Sequence, residues 1–323
     1  MVVVAKSTSI TTTTLPATRT LSSSSLRVST WTLWFSSIFT LIYVSVAAAD
    51  HLSAPRLARI RDVEDSFLER MDSELAGWAN PVQRLKGAIE NNEFELYCQP
   101  ILQFAGSERY PKAEVLVRLR EEERALVPPG EFLPVFEHYR MMPYLDRWVV
   151  RHTVKRLAQG SRIARFTVNI SGQTVEDMEF PRFVAAQLAA NQVAGARLLF
   201  EIDEADVLAR PESVERFAAQ MKSVGTPLLI DGFGCRAVSF TPVKTLGVQF
   251  VKVDGRITRR VMSNDSARSK LNAILRVGER LGFGVVAECV EEQDVLVRLK
   301  AMGVGYAQGF GIYQPHPIDA LAE

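Results

Sequence analysis

At 323 residues and a net charge of +1, the chain can hold two ordinary domains or one large barrel, and it lacks the basic surplus that a nucleic-acid polymer would demand. Hydrophobic residues make up 47% and charged residues 23%, ample for a core and ordinary for a globular protein in water. Three cysteines (Cys98, Cys235 and Cys289) without a CxxC spacing argue against a disulfide framework or a zinc knuckle and fit a reducing cytosol.

The N-terminal stretch differs in kind from the rest. Residues 1–30 are read as disordered, because 7–30 are dominated by Ser and Thr and cannot build a core. Residues 31–49 (WTLWFSSIFTLIYVSVAAA) are uncharged and mostly apolar, about the ~20 residues that a bilayer-spanning helix needs. Three readings compete for them. A membrane anchor is favoured by the length and by Trp31 and Trp34 at one end. A cleaved signal would use Ala47-Ala48-Ala49, but the preceding stretch is long and poor in basic residues. A true start at Met71 is the third. Basic residues balance on the two sides, so the charge pattern does not orient the segment. Residues 50–84 read as a linker.

From about Leu85 short β-rich runs alternate with longer segments of helical period, the signature of βα units around a parallel sheet. Strands are predicted at 94–102, 112–119, 165–170, 197–202, 227–231, 248–254, 284–288 and 304–309. Helices are predicted at 131–159, 174–191, 205–223, 259–282 and 291–302, with Gly225 and Gly303 as stops, and a short helix within 234–247. Eight strands in about 230 residues favour a TIM-like (β/α)8 barrel; a doubly wound sheet stays open, because periodicity does not show closure.

Strands buried on both faces should be continuous apolar runs, so polar residues within them stand out. Glu114, Asn169, Glu201, Asp231, Lys252 with Asp254, Glu288 and Gln308 fall within or at the ends of seven successive strands. In a barrel such positions converge on the face where active sites lie. One carboxylate at a strand end is more often a helix cap or a turn former, but seven such positions in succession exceed that explanation. The set is rich in oxygen and has no His or Cys, which selects a hard cation such as Mg²⁺, Mn²⁺ or Ca²⁺ over zinc. Lysine beside carboxylates and metal suits phosphate chemistry.

The runs YCQPI (97–101), AEVLVR (113–118), FLPVFEHYRMMPYLDRWVV (132–150), VNIS (168–171), FEIDE (200–204), IDGFGC (230–235), VKVD (251–254), AECVE (287–291) and AQGFGIYQPHP (307–317) resemble, in order, the motifs of the EAL domain. The resemblance spans 85–321. It implies a TIM-like barrel with one antiparallel strand, which binds cyclic di-GMP and, in active members, hydrolyses it to the linear dinucleotide with two Mg²⁺ or Mn²⁺ ions. It further implies that Glu114, Asn169, Glu201, Asp231 and Glu288 bind metal. Lys252, Glu288 and Asp231 would be catalytic, with Lys252 holding the attacking water. Gln99, Arg118 and Gln308 would contact nucleotide, and Glu204 would brace the loop after the fifth predicted strand.

Departures from the motif cluster in that loop. Where the family has Asp-Asp-Phe-Gly-Thr-Gly, this chain has Asp231-Gly232-Phe233-Gly234-Cys235-Arg236, and Cys289 replaces a usual glycine. Loss of an outer-shell partner of a metal typically costs about 10- to 100-fold in affinity or activity, and loss of a direct ligand should cost at least that. The sequence therefore supports a weakened cyclic di-GMP phosphodiesterase first, a catalytically inactive cyclic di-GMP receptor second and a protein-binding EAL module third. A homodimer and a protein partner are further expectations from the resemblance. The nucleotide is intracellular, so the barrel is expected in the cytoplasm, anchored in the inner membrane if residues 31–49 span it.

Overall fold

The computed structural model describes residues 80–120, 126–236 and 239–321. The N-terminal segments discussed above, 31–49 included, lie outside them. No helix among the described residues is long and apolar enough to cross a membrane.

Helix α1 (Pro81–Glu90), capped by Asn80, leads into a long hairpin of β1 (Phe94–Gln103) and β2 (Lys112–Arg120). The two-residue β3 (Leu126–Val127) pairs with β2, and α2 (Pro129–His138) and α3 (Met142–Ala158) follow. Then come β4 (Arg165–Asn169), α4 (Gly172–Val175), α5 (Phe180–Ala190), β5 (Leu198–Asp203), α6 (Glu204–Ala209), α7 (Pro211–Val224) and β6 (Leu228–Phe233). The chain continues through α8 (Thr241–Leu246), β7 (Phe250–Val253), α9 (Gly255–Thr258), α10 (Asp265–Leu281), β8 (Gly284–Ala287), α11 (Gln293–Ala301), β9 (Tyr306–Ala307) and β10 (His316–Pro317).

Strands β2, β4, β5, β6, β7, β8 and β9 run parallel, each hydrogen-bonded to the next, and β1 closes the ring by pairing antiparallel with both β2 and β9. The ring is thus an eight-stranded barrel with one reversed strand, and the doubly wound alternative is excluded.

The core has two layers. Inside, Ile101, Leu199, Leu229, Phe250 and Val286 pack with Tyr306 across the barrel floor. Outside, Phe200 meets Phe180 of α5 and Phe217 of α7 at ring separations of 5.9 and 6.1 Å. Each such buried side chain contributes about 1.5–3 kcal/mol relative to exposure.

The long predicted helices are broken. The expected 131–159 splits into α2 and α3 at Arg140, whose φ of 53° is left-handed. In the other three a short turn at the barrel mouth, with side-chain caps at Ser171, Asp203 and Asp254, comes first, and the long helix starts later than predicted, at Phe180, Pro211 and Asp265. Pro143, Pro181 and Pro211 stand in the first turn of the later helix at three of the four breaks, a start signal that the helical period across them masks. Gly225 and Gly303 do follow helices with left-handed φ of 77° and 87°, as their sequence positions predicted.

Candidate functional site at the barrel mouth

Side chains alternate along a strand, so the residue two beyond each floor residue points inward one layer higher. Leu199 leads to Glu201, Leu229 to Asp231, Phe250 to Lys252, Val286 to Glu288 and Tyr306 to Gln308. On β1, which runs the other way, Ile101 leads to Gln99. Glu114 stands directly across the hairpin from Gln99. The polar layer is therefore the floor pattern moved up by one period.

Lys252 is its centre. The buried ammonium lies 2.9 Å from Glu114, 2.8 Å from Glu201, 2.9 Å from Glu288 and 3.4 Å from Asp231. An ammonium has three protons to donate, so four carboxylates leave one short, and Asp231 is the most distant. Glu114 also accepts from Asn169 Nδ2 at 2.7 Å and Gln308 Nε2 at 2.7 Å. Gln308 Nε2 donates to Gln99 Oε1 at 3.0 Å, and Gln99 Nε2 to the Tyr313 carbonyl at 2.8 Å.

The charges answer to this packing. Burial would raise the Glu114 carboxyl, but the Lys252 charge and the hydrogen bonds from Lys252, Asn169 and Gln308 together hold it below the ordinary range. Burial, then the Glu114 charge, push Glu201 up to about 8 against the pull of Lys252. Glu288 rises for similar reasons, burial first and Asp231 second. Burial opposes the Lys252 charge, yet the surrounding carboxylates raise it well above its ordinary value.

The loop after β6 is held from the first residue of α6. Glu204 accepts from the Gly234 amide at 2.9 Å and the Arg236 amide at 3.3 Å. Gly232 has a φ of 63° and sits in a bulge, where Asp231 and Gly232 together stand opposite Lys252 alone. Cys235 accepts from Arg256, which also forks onto Asp254 at 2.9 and 3.0 Å. Cys289, left-handed at φ 54°, lies against Gly255, where its Sγ is 2.5 Å from the point a Cβ would occupy. Both thiols are free, and burial, then the Glu288 charge, push the Cys289 thiol up.

Arg118 is not drawn into the cluster. It lies further up the hairpin on the same face as Glu114, donating to the Val117 carbonyl at 2.9 Å and standing 5.5 Å over the Tyr97 ring. Two residues that the sequence reading passed over matter here. Asp203 shares the inward face of β5 with Glu201, and strand alternation from Glu201 could have flagged it. It faces solvent at the rim yet is crowded by protein, and that crowding, then the Asp231 charge, push its carboxyl up to about 7. Asp146, buried on α3, accepts from Ser171 N at 3.1 Å, Ser171 Oγ at 2.9 Å and Thr174 Oγ1 at 2.6 Å, anchoring the segment just after Asn169. No sequence signal distinguished it from a surface helix acid.

A profile of the EAL domain matches residues 82–315. The chain belongs to the EAL domain family. It is 30% identical over 261 residues to the cyclic di-GMP phosphodiesterase PdeF of Escherichia coli, covering 80% of this chain and 34% of that protein. It is 28% identical over 243 residues to the cyclic di-GMP phosphodiesterase PdeB of Shewanella oneidensis, covering 74% of this chain and 28% of that one. The chain thus spans about a third of the length of these relatives. The crystal structure of the FimX EAL domain from Pseudomonas aeruginosa bound to cyclic di-GMP superposes with a TM-score of 0.69 at 26% identity, covering 73% of this chain and 96% of that domain.

EAL phosphodiesterases depend on divalent metal. Among the described residues of this EAL barrel, no group of three or more His, Cys, Asp or Glu stands ready to hold a metal ion; the Lys252 ammonium occupies the centre instead. The donor chemistry nevertheless fits a hard cation. Glu201 Oε1 and Gln308 Oε1 are buried oxygens without a hydrogen-bond partner, and Asp231 Oδ1 has only the Lys252 ammonium at 3.4 Å; such oxygens are costly to bury unless something positive reaches them.

Proposed function

We propose that this EAL barrel binds cyclic di-GMP and hydrolyses it to the linear dinucleotide, with activity weakened at Gly232. The observation that carries this reading is the convergence of Glu114, Glu201, Asp231 and Glu288 on Lys252, with buried acceptor oxygens left over. Glu114, Asn169, Glu201, Asp231 and Glu288 would hold Mg²⁺ or Mn²⁺. The bound metal would supply a Lewis acid and an activated water at neutral pH. Lys252 would then be free to orient that water and to offset charge on a phosphate oxygen. Gln99, Gln308 and Arg118, on the two strands of the hairpin and on the last barrel strand, would contact the nucleotide. Glu204 would keep the loop after β6 in place through the Gly234 and Arg236 amides.

A specific observation favours a second reading, a receptor that binds without turnover. Asp231 is the carboxylate that Lys252 reaches least, and its neighbour Gly232 offers no side chain to a second cation. Turnover of cyclic di-GMP by the purified protein, followed by chromatography of the linear product with Mg²⁺ and then Mn²⁺, separates the two. Product formation that Glu201→Gln abolishes supports the enzyme. Calorimetric binding in Ca²⁺ without any product under either metal supports the receptor. Absence of both binding and product overturns both readings and leaves a protein-binding module. Homodimerisation, a protein partner and attachment to the inner membrane through residues 31–49 belong to the same proposal; the oligomeric state and membrane fraction of the full chain test them.

A further inference from the structure

Asp203 and Asp231 are direct partners across β5 and β6. Asp203 Oδ1 is occupied, accepting the Ala205 amide at 2.6 Å as the cap of α6. Its Oδ2 is turned the other way and lies 3.7 Å from where a Cβ on Gly232 would stand, an ordinary contact distance. A carboxylate oxygen thus already borders the space that a side chain at position 232 would enter. On the same face of β5, two residues deeper, Glu201 Oε1 belongs to a side chain with 0% exposure and has no hydrogen-bond partner. Asp231, which stands across from Asp203, has its Oδ1 without a hydrogen bond and 3.4 Å from the Lys252 ammonium. Two adjacent strands therefore line one wall of the mouth with three carboxylates, and Lys252 is the ammonium within ion-pair distance of Glu201 and Asp231.

We propose that Asp203 is a cation ligand, which with Asp231 completes a second, outer divalent-cation site at the mouth and fills from β5 the position left open in β6 by Gly232. The inference rests on the metal dependence proposed above and deepens it, because it assigns the second ion a carboxylate from another strand. Mg²⁺ keeps several waters and is commonly bound through one or two carboxylates, so a ligand can come from either strand provided its oxygen reaches the same space. Asp203 would act as cap and ligand at once, one oxygen for each.

Mn²⁺ titrations of the full chain without nucleotide, read by the electron-spin resonance signal of the free ion, test this directly. The wild type is expected to bind two Mn²⁺ ions, one tighter than the other. Asp203→Asn keeps an N-cap side chain of the same size and is expected to weaken the looser site at least tenfold while leaving the tighter one unchanged. Adding Gly232→Asp to Asp203→Asn is expected to restore the looser site. Unchanged binding in Asp203→Asn, or a single Mn²⁺ site in the wild type that this variant does not affect, would reduce Asp203 to a helix cap and overturn the proposal with the metal reading intact. No Mn²⁺ binding by the folded wild type would instead overturn the metal reading and this inference together.

Discussion

The two halves of the barrel mouth are built to different standards. On the β2–β4–β5 side, Glu114 receives Asn169, Gln308 and Lys252, and Asp146 pins the chain just beyond Asn169 with three hydrogen bonds. On the β6–β8 side, Asp231 is the carboxylate farthest from Lys252, Gly232 contributes no side chain, and Cys289 holds a left-handed backbone that favours glycine. The first wall is densely hydrogen-bonded around Glu114, although Glu201 Oε1 lacks a partner; the second carries the left-handed positions Gly232 and Cys289. The difference teaches that the left-handed positions Gly232 and Cys289 both fall on one wall and leave the hydrogen bonds to Glu114 intact on the other. On the proposed function, an ion would be held first by the β2–β4–β5 wall, and the other wall would set how much chemistry follows.

The sharpest break of this contrast is to remove what joins the walls. Lys252→Met leaves four inward carboxylates without their shared cation and should destabilise the metal-free protein by about 3–5 kcal/mol in urea titrations. A loss under ~1 kcal/mol would mean that the cluster is already neutral without the lysine. Next, Asp146→Ala strands the Ser171 and Thr174 donors on the ordered side and should cost about 2–4 kcal/mol, measured the same way.

Asp146 also gives a pH signature. Burial leads the causes that raise its carboxyl from 3.8 to about 6, against the hydrogen bonds from Thr174 and Ser171. The folded state thus holds this proton more tightly than the unfolded chain. Its stabilising effect is complete below about pH 4 and is lost as pH rises through about 6. Relative to Asp146→Asn, the wild type should therefore lose up to roughly 3 kcal/mol across that interval, and a difference that grows with pH would contradict it.

On the open wall, Gly232→Asp should raise hydrolysis at least about tenfold, while its left-handed φ costs about 1 kcal/mol of stability. No gain in a folded variant would place the limit in Cys235 and Arg236 rather than in the missing carboxylate. The smallest effect is expected from Cys289→Gly, which relieves the backbone at φ 54° and should stabilise by about 0.5–1 kcal/mol in thermal melts. A loss instead would show that the Cys289 packing against Gly255 outweighs the strain.

Much of this arrangement was legible in the residues. Buried strands are apolar runs, so Glu114, Glu201, Lys252 and Glu288 were conspicuous within them, and eight strands in sequence favoured a barrel without showing that it closes. Three things were hidden. The break at Arg140 is marked only by Pro143 at the start of α3, because an arginine with positive φ looks like any helical arginine. The two-residue β10 is too short to have a period. Asp203 was passed over because its proposed role depends on what lies across the strand pair, at Asp231 and Gly232. Local pattern reports which face a side chain takes; it does not report which oxygen across the sheet still lacks a partner.

The seam of the barrel has a consequence in time. Strand β1 is joined to β9 and β10 by two short pairings, and Gln99 reaches the Tyr313 carbonyl across 214 positions of chain. Such remote contacts carry the largest loop-closure cost and come late in folding. During synthesis the β1–β2 hairpin and the parallel strands after it can pair in order of emergence, yet they form only an open sheet until residues 306–317 have left the ribosome. A nascent chain therefore carries most of its acidic side chains for most of its synthesis without owning a cavity. The cavity is complete only once this final stretch has paired with β1.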